Sequence, residues 1–171
     1  MSISNVKEHF RTFGREQDIR EFATSSATVD MAAATIGVIP ARIAKTLSFR
    51  GADQAAILIV AAGDAKIDNK RFREVFGCKA RMLTPEEVLA QTGHEIGGVC
   101  PFGLAHPLEV YLDVSMQRFA TLFPACGSSN SAIELTCEEL AHYSGASGAK
   151  AWVNVCKGWQ EETMDGDGQA S

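Results

Sequence analysis

Alternating apolar and polar residues predict a half-buried strand over residues 43–49. Ile43, Leu47 and Phe49 are apolar, whereas positions 44, 46 and 48 are small or polar. This period of two places one face of the strand against a core. Lys45 falls on the buried phase, where a charge is costly unless it has a partner or borders a wet cleft. Lys45 is therefore a functional-site candidate. The alternative is that the strand begins late and the side chain reaches solvent at its end.

The same patterns predict the remaining elements. The continuous apolar run over 55–62 is typical of a central strand buried on both faces. Helices are expected over 5–14, 29–36, 68–76, 84–92 and 136–143, the last four beginning at Thr28, Asp68, Thr84 and Thr136 as capping residues. Further strands are expected over 19–22, 79–83, 110–114, 120–126, 132–135 and 152–156. Because strands and helices do not alternate one-for-one, we predict an α+β fold with a mixed, strongly curved, barrel-like sheet of about seven strands surrounded by helices.

Length and composition favour one globular domain. The 171 residues suit a single domain over 1–159, followed by a disordered acidic tail over 160–171. No apolar run reaches the roughly 18 to 20 residues that span a bilayer, and the N-terminus lacks a signal pattern, so we expect a cytoplasmic protein without a membrane partner. The five cysteines show no C-x-x-C spacing and the four histidines are scattered. We therefore expect no disulfide framework, no metal and no cofactor.

The net charge of −5 is not spread evenly along the chain. The predicted tail holds four acidic residues and no basic one, so the rest of the chain is close to neutral. Basic residues concentrate over 66–81, where Lys66, Lys70, Arg71 and Arg73 are candidates for nucleic-acid contact. A solvated helix face remains an alternative for this segment.

Two glycine-containing loops are candidates for backbone binding sites. Gly97 to Pro101 has the form G-x-x-x-P, in which glycine permits close approach of a ligand and proline fixes the turn. The N–H groups of such a loop can hold a carboxylate or a developing oxyanion. The turn over 127–131 could form a second backbone cradle, although neither loop is a nucleotide P-loop. Cys100 and Cys126 lie in these loops and could be nucleophiles if a neighbouring group lowered their pKa. A purely structural role for the loops stays open.

The lysine strand over 41–47, the segment 68–71, the loop 97–103 and the strand 110–113 follow one another at distances that resemble a known family. This is the YbaK/EbsC/ProX family of aminoacyl-tRNA editing domains, also found inserted in bacterial prolyl-tRNA synthetases. The resemblance covers about residues 5–156. The lysine strand and the G-x-x-x-P loop are specific as a combination, although each is a weak signal alone.

The resemblance implies a trans-editing hydrolase that deacylates mischarged aminoacyl-tRNA, of the tRNA(Pro) type or carrying cysteine, alanine or another small amino acid. A synthetase is a further partner that it suggests, and the protein would be a monomer or a homodimer. By the resemblance, the catalytic residues are Lys45, Gly97, Gly98 and Pro101. The substrate-binding residues would be Val99, Cys100, Phe102, Gly127, Ser128 and Ser129.

One departure from the family pattern lies at Gly127 to Ser131, which carries no charge where many relatives have a basic, glycine-rich turn. It leaves the identity of the substrate open. Two other functions also stay open. One is an inactive module that binds tRNA or a synthetase, and the other is a small-molecule hydrolase with a cysteine nucleophile.

Overall fold

The computed structural model describes residues 2–25, 28–146 and 149–159, and in these ranges it contains five α-helices and nine β-strands. The helices are α1 (Ser2–Arg11), α2 (Val29–Ile36), α3 (Asn69–Phe76), α4 (Pro85–Thr92) and α5 (Cys137–Ser144). The strands are β1 (Arg20–Glu21), β2 (Ile43–Arg50), β3 (Ala56–Ala62), β4 (Lys66–Ile67), β5 (Glu109–Asp113), β6 (Phe123–Pro124), β7 (Ser131–Ala132), β8 (Trp152–Val153) and β9 (Cys156–Lys157). The predicted disordered tail over 160–171 lies outside the described residues.

The central sheet has five strands in the order β6-β2-β3-β5-β8. β2 and β3 pair antiparallel along their length, whereas the other three ladders are parallel. Two small antiparallel sheets, β1–β7 and β4–β9, lie beside it. The predicted α+β class and mixed sheet are confirmed. The prediction of about seven strands is replaced by nine, and the ladders of the described residues end at β6 and β8, so they do not close into a barrel.

The long strands form the core as their composition dictates. All seven residues of β3 are buried, which confirms the prediction of a strand covered on both faces. β2 was expected to bury one face only, and this was wrong: Ala44 and Ser48 are buried as well as Ile43 and Phe49. β2 lies inside the sheet between β6 and β3, and its small even-numbered residues allow close packing on the second face.

The helix starts follow local chemistry. Thr28 accepts a hydrogen bond from the Met31 N–H, and Asp68 accepts from the N–H groups at positions 70 and 71. Thr84 and Thr136 each form a capping box with the glutamate three residues later. These four predicted helix starts are confirmed, whereas α1 begins and ends three residues earlier than predicted.

Several predicted strands are shorter than expected. Residues 79–83 make one isolated bridge, between Met82 and Phe49. The predicted strand over 120–126 is reduced to β6, since Pro124 cannot donate to a ladder. The predicted strand over 132–135 is reduced to β7. Residues 152–156 divide between β8 and β9, which pair with different partners.

Candidate active site

A cavity of about 240 Å³ opens between α2, β2, α4 and the loops around residues 97 and 128. Aliphatic and aromatic side chains from five separate parts of the chain form most of its wall; they include Val29, Ile36, Ile43, Leu47, Val88, Val99 and Phe123. Polar groups enter from β2 (Thr46, Ser48) and from the turn over 128–131. Lys45 is the one charged residue of the lining within the described part of the chain. The wall is thus apolar with a few polar groups and one cation, which is the usual composition of a small-molecule site.

The Lys45 side chain is half-buried and its ammonium group is bound to backbone. Its Nζ donates to Gly63 O at 3.3 Å and to Ala65 O. Burial lowers the pKa of Lys45 below its ordinary value, an effect that the nearby Asp64 and Asp113 carboxylates partly oppose. The alternative in which this side chain lies in solvent at the end of its strand is therefore wrong. The ammonium is held beside the sheet, and the residue also lines the cavity.

The two glycine-containing loops are in direct backbone contact. Gly127 N–H donates to Gly98 O at 3.1 Å. A Cβ on Gly98 would lie 2.6 Å from Ser128 N, so no other residue fits there without movement of the backbone. Gly97 has a φ of 103°, which glycine adopts without strain. Glycine at these positions lets the loops approach one another and lets backbone form part of the cavity wall.

The predicted site residues divide into two groups. Lys45, Gly97, Val99, Ser128 and Ser129 come together on the cavity wall. The other five are buried and do not line the cavity in the described part of the chain; they are Gly98, Cys100, Pro101, Phe102 and Gly127. The second group forms the buried part of the two loops.

The loop cysteines lie in surroundings that disfavour a thiolate. Cys100 is fully buried, and burial raises its pKa to about 12. Burial likewise raises the pKa of Cys126 well above its ordinary value. His94 lies 3.6 Å from the Cys100 sulfur, but its Nε2 is 2.8 Å from Phe102 O and burial lowers the histidine pKa. This environment is that of structural cysteines rather than activated nucleophiles.

The predicted nucleic-acid contacts are not lining residues of the cavity in the described part of the chain. Lys66 on β4 and Lys70 and Arg73 on α3 are exposed. Arg71 is already hydrogen-bonded within the protein, since it donates to Asn154 Oδ1 at 2.9 Å and to Cys156 O at 3.4 Å. None of these four lines the cavity in the described structure.

Several groups at the cavity were not predicted from the sequence. Met82 and Ile96 line it although they are 64% and 62% exposed, so they form an apolar rim. Thr46 Oγ1 is buried and has no hydrogen-bond partner among the described residues. Thr46 falls on the polar phase of its strand, and this pattern could have predicted a polar group at the cavity. Nothing in the sequence distinguishes Met82 and Ile96 from core residues.

No group of three or more His, Cys, Asp or Glu side chains in the described ranges is arranged to hold a metal ion. Within the same ranges, no helix is long and apolar enough to cross a membrane.

Comparison with known proteins assigns a family to this fold and cavity. Residues 23–143 match the family model of the aminoacyl-tRNA editing domain. This match covers more than half of the chain and includes both the lysine strand and the glycine loops. The chain belongs to the aminoacyl-tRNA editing domain family.

Individual relatives extend over most of the chain. The uncharacterized protein YwhH of Bacillus subtilis is 66% identical over 160 residues, which cover 94% of this chain and 100% of that protein. EbsC of Enterococcus faecalis, named as a candidate Cys-tRNA(Pro)/Cys-tRNA(Cys) deacylase, is 28% identical over 70% of this chain and 75% of its own. A crystal structure described as a candidate trans-editing enzyme for prolyl tRNA synthetase superposes with a TM-score of 0.81 at 30% identity and covers 92% of this chain and 98% of that one.

Proposed function

We propose that this protein is a free-standing hydrolase that removes a wrongly attached amino acid from tRNA. The observation that supports the proposal best is the shared cavity, where Lys45 and the two glycine loops meet inside a mostly apolar wall. Its family and its similarity to proteins named as deacylases and trans-editing enzymes point the same way. Such a substrate would place the protein in the cytoplasm, with an aminoacyl-tRNA synthetase as the source of the mischarged tRNA.

A separate editing pocket compensates for a physical limit on the selectivity of synthetases. A synthetase distinguishes amino acids that differ by one methylene group by only about 1–3 kcal/mol, so errors must be removed at a separate site. A cavity of about 240 Å³ has room for a small aminoacyl group and the start of the ribose. We propose a small amino acid on tRNA(Pro) or a cysteine-type mischarged tRNA as substrate.

The proposed chemistry is hydrolysis of the ester bond by water. Water adds to the ester carbonyl carbon, the bond to the ribose oxygen breaks, and that oxygen takes up a proton, which yields the free amino acid and intact tRNA. We assign charge stabilisation or substrate anchoring to the Lys45 ammonium, which would contact the ester carbonyl or the terminal ribose. Gly98 N–H already donates to Glu95 O at 2.9 Å. We therefore assign the developing oxyanion to the N–H groups of Gly97 and Val99, residues that line the cavity.

A deacylation assay with Lys45→Ala tests this function. Wild-type protein should release amino acid from at least one of a panel of tRNAs charged with alanine, cysteine, serine or 2-aminobutyrate. Lys45→Ala should lower kcat/KM by about 100-fold or more, because the loss of one preorganised charge-stabilising group typically has that effect. Lys150→Ala, which removes an exposed lysine outside the cavity lining, is the control and should retain activity.

Two outcomes would contradict the proposal at different levels. A folded, fully active Lys45→Ala protein would remove Lys45 from the mechanism. Absence of wild-type deacylation across the whole panel would reject the hydrolase function itself.

A second candidate function is tRNA binding without hydrolysis. It is favoured by the hydrogen bonds of the Lys45 ammonium to two backbone carbonyls, which occupy two of its three N–H donors and leave one for a ligand. The same panel separates the two candidates, because a binding module would retain mischarged tRNA and leave its ester intact.

Alkylation of the cysteines tests the cysteine-nucleophile alternative, and we expect it to leave activity in the folded protein because Cys100 and Cys126 are buried.

A further inference from the structure

Both backbone acceptors of the Lys45 ammonium belong to one turn, residues 63–65, between β3 and β4. The turn is closed by Ala65 N–H, which donates to Ala62 O at 3.0 Å. A displacement of this turn would move both carbonyl oxygens together. The location of the turn therefore determines where the positive charge of Lys45 lies.

The middle residue of the turn is bound on its outer side by a bidentate ion pair. Arg118 Nη2 lies 2.6 Å from Asp64 Oδ1, and Arg118 Nη1 lies 3.1 Å from Asp64 Oδ2. The two side chains are only 17% and 18% exposed, so the pair is largely shielded from water. Two parallel charge-assisted hydrogen bonds fix orientation as well as distance.

Arg118 is itself held from several directions. Its Nε donates to Ser115 O at 2.8 Å, and its guanidinium lies 4.8 Å from the centre of the Phe119 ring and 5.0 Å from that of Trp159. Ser115 also reaches the end of β3, where its Oγ accepts from Ala62 N–H at 3.1 Å. The segment over 115–118 thus holds both the turn and the strand that leads into it.

The inner side of the turn is fixed by packing against the cavity wall. A Cβ on Gly63 would overlap Pro40 O and would lie 2.7 Å from Val29 Cγ1, and Val29 lines the cavity. The turn is therefore confined between Pro40 and α2 on one side and the Asp64–Arg118 pair on the other. It has little freedom to shift while both sides are intact.

We propose that Asp64 and Arg118 are positioning residues for Lys45, which hold the 63–65 turn and thereby set the location of the ammonium group relative to the cavity. Neither residue is part of the cavity lining in the described structure, so they act through the turn and not by contact with substrate. The catalytic consequence rests on the proposed function. The effect on the lysine itself does not.

The test compares Arg118→Met with Arg15→Met by two readouts. Arg118→Met keeps an apolar chain over Phe119 and Trp159 but frees Asp64. Arg15→Met removes a guanidinium whose Nη1 lies 2.8 Å from Glu139 Oε2, an ion pair that is also partly buried but lies outside the cavity lining. The first readout is the rate at which acetic anhydride acylates the Lys45 amine of the folded protein, measured by mass spectrometry of the peptide that contains Lys45. The second is the separation of kcat from KM in deacylation.

Arg118→Met should raise the acylation rate of Lys45 several-fold, because the amine loses its fixed acceptors. It should lower kcat by about 10- to 100-fold, the typical effect of a displacement near 1 Å in a catalytic group, with KM little changed. Arg15→Met should change neither readout, even if it lowers stability by a similar amount. This contrast separates positioning of the lysine from a general loss of stability.

Lys45 acylation and kcat that both stay at the wild-type level in folded Arg118→Met would overturn the inference. If that variant does not unfold cooperatively, Asp64→Asn keeps the shape of the side chain and weakens the pair, and its readouts must move in the same directions. If wild-type protein deacylates no tRNA, the proposed function fails, while the acylation rates still decide whether the pair positions Lys45.

Discussion

Gly98 is a position where the chain has no room for a side chain, because the two glycine loops meet there through their backbones. We expect Gly98→Ala to lower the free energy of unfolding by about 1–3 kcal/mol, the usual cost of overpacking a well-packed site. The loops should also separate and deacylation should fall. Urea denaturation measures the first effect and the deacylation assay measures the second.

Gly51→Ala is the matched control for this substitution. A Cβ there would have its nearest contacts at 3.4 Å, and the φ of Gly51 is outside the left-handed region. This variant should stay close to wild type in both measurements. Equal stability of Gly98→Ala and Gly51→Ala would contradict the close approach of the loops.

At the scale of single residues, the sequence predicted which side chain was unusual but not what it contacts. Lys45 is identifiable because its charge violates the period of its own strand. Its acceptors are the carbonyl groups of Gly63 and Ala65, and every residue has such a carbonyl. Asp64 and Arg118 are 54 positions apart, so their pairing depends on the tertiary fold. Backbone partners and long-range pairs leave no local pattern from which they could be predicted.

Among the elements, α3 offers a pH-dependent test of its cap. Asp68 accepts hydrogen bonds from the N–H groups of Arg71 and Lys70, and these bonds lower the pKa of Asp68. A carboxyl group with a folded-state pKa below its unfolded value stabilises the fold above the unfolded value, about pH 4, and loses this contribution as the pH falls through the folded-state pKa. Wild type should therefore be more stable than Asp68→Asn at pH 7.

The advantage of wild type over Asp68→Asn should disappear on acidification below about pH 4, since asparagine caps a helix well but does not titrate. Thermal unfolding of both proteins across this pH range measures the difference. A gap that stays constant from neutral to acidic pH would show that the Asp68 charge does not stabilise α3.

The elements also show where sequence patterns are reliable. Helix starts were predicted well because a cap depends on neighbours within three residues, as at Thr84 and Thr136. Strand ends were predicted poorly because they depend on partners elsewhere in the chain. The apolar stretch over 120–126 contains Pro124 and forms only two paired residues plus single bridges from Leu122 and Ala125.

At the scale of the whole molecule, the exposed basic residues outside the cavity lining suggest a second binding region for the proposed tRNA substrate. The cavity would receive the aminoacyl end, and the exposed cations of α3 would bind phosphates farther along the acceptor stem. Lys70→Ala/Arg73→Ala should reduce the steepness of the salt dependence of tRNA binding, by about one unit of slope for each phosphate that is no longer neutralised. Arg71 is left intact, since its bonds to Asn154 and Cys156 contribute to the fold.

Binding titrations at several salt concentrations give this slope. Lys150→Ala serves again as the control and should leave it unchanged. An unaltered slope in Lys70→Ala/Arg73→Ala would place the phosphate-binding residues on another surface. Deacylation of a minimal aminoacylated fragment that lacks the stem should be insensitive to both substitutions.

The overall architecture was predicted to the level of class and mixed sheet but not of topology. The buried run of β3 identified the centre of the sheet, whereas the parallel pairing of β3 with β5 and of β5 with β8 had no sequence signal. Parallel ladders join segments that are distant in the chain, and their order is decided by which surfaces pack together.

The last strands have a consequence for synthesis of the protein. β8 pairs with β5 and β9 pairs with β4, and Val155 N–H donates to the buried Asp113 carboxylate at 2.9 Å. While residues 152–157 remain inside the ribosome exit tunnel, the nascent chain has an unpaired β5 edge, and Asp113 keeps its bond from Ser115 N–H but lacks the one from Val155 N–H. The central sheet and the hydrogen bonds of Asp113 are therefore completed only after that segment has emerged, so the last-made strands decide when the core of the protein closes.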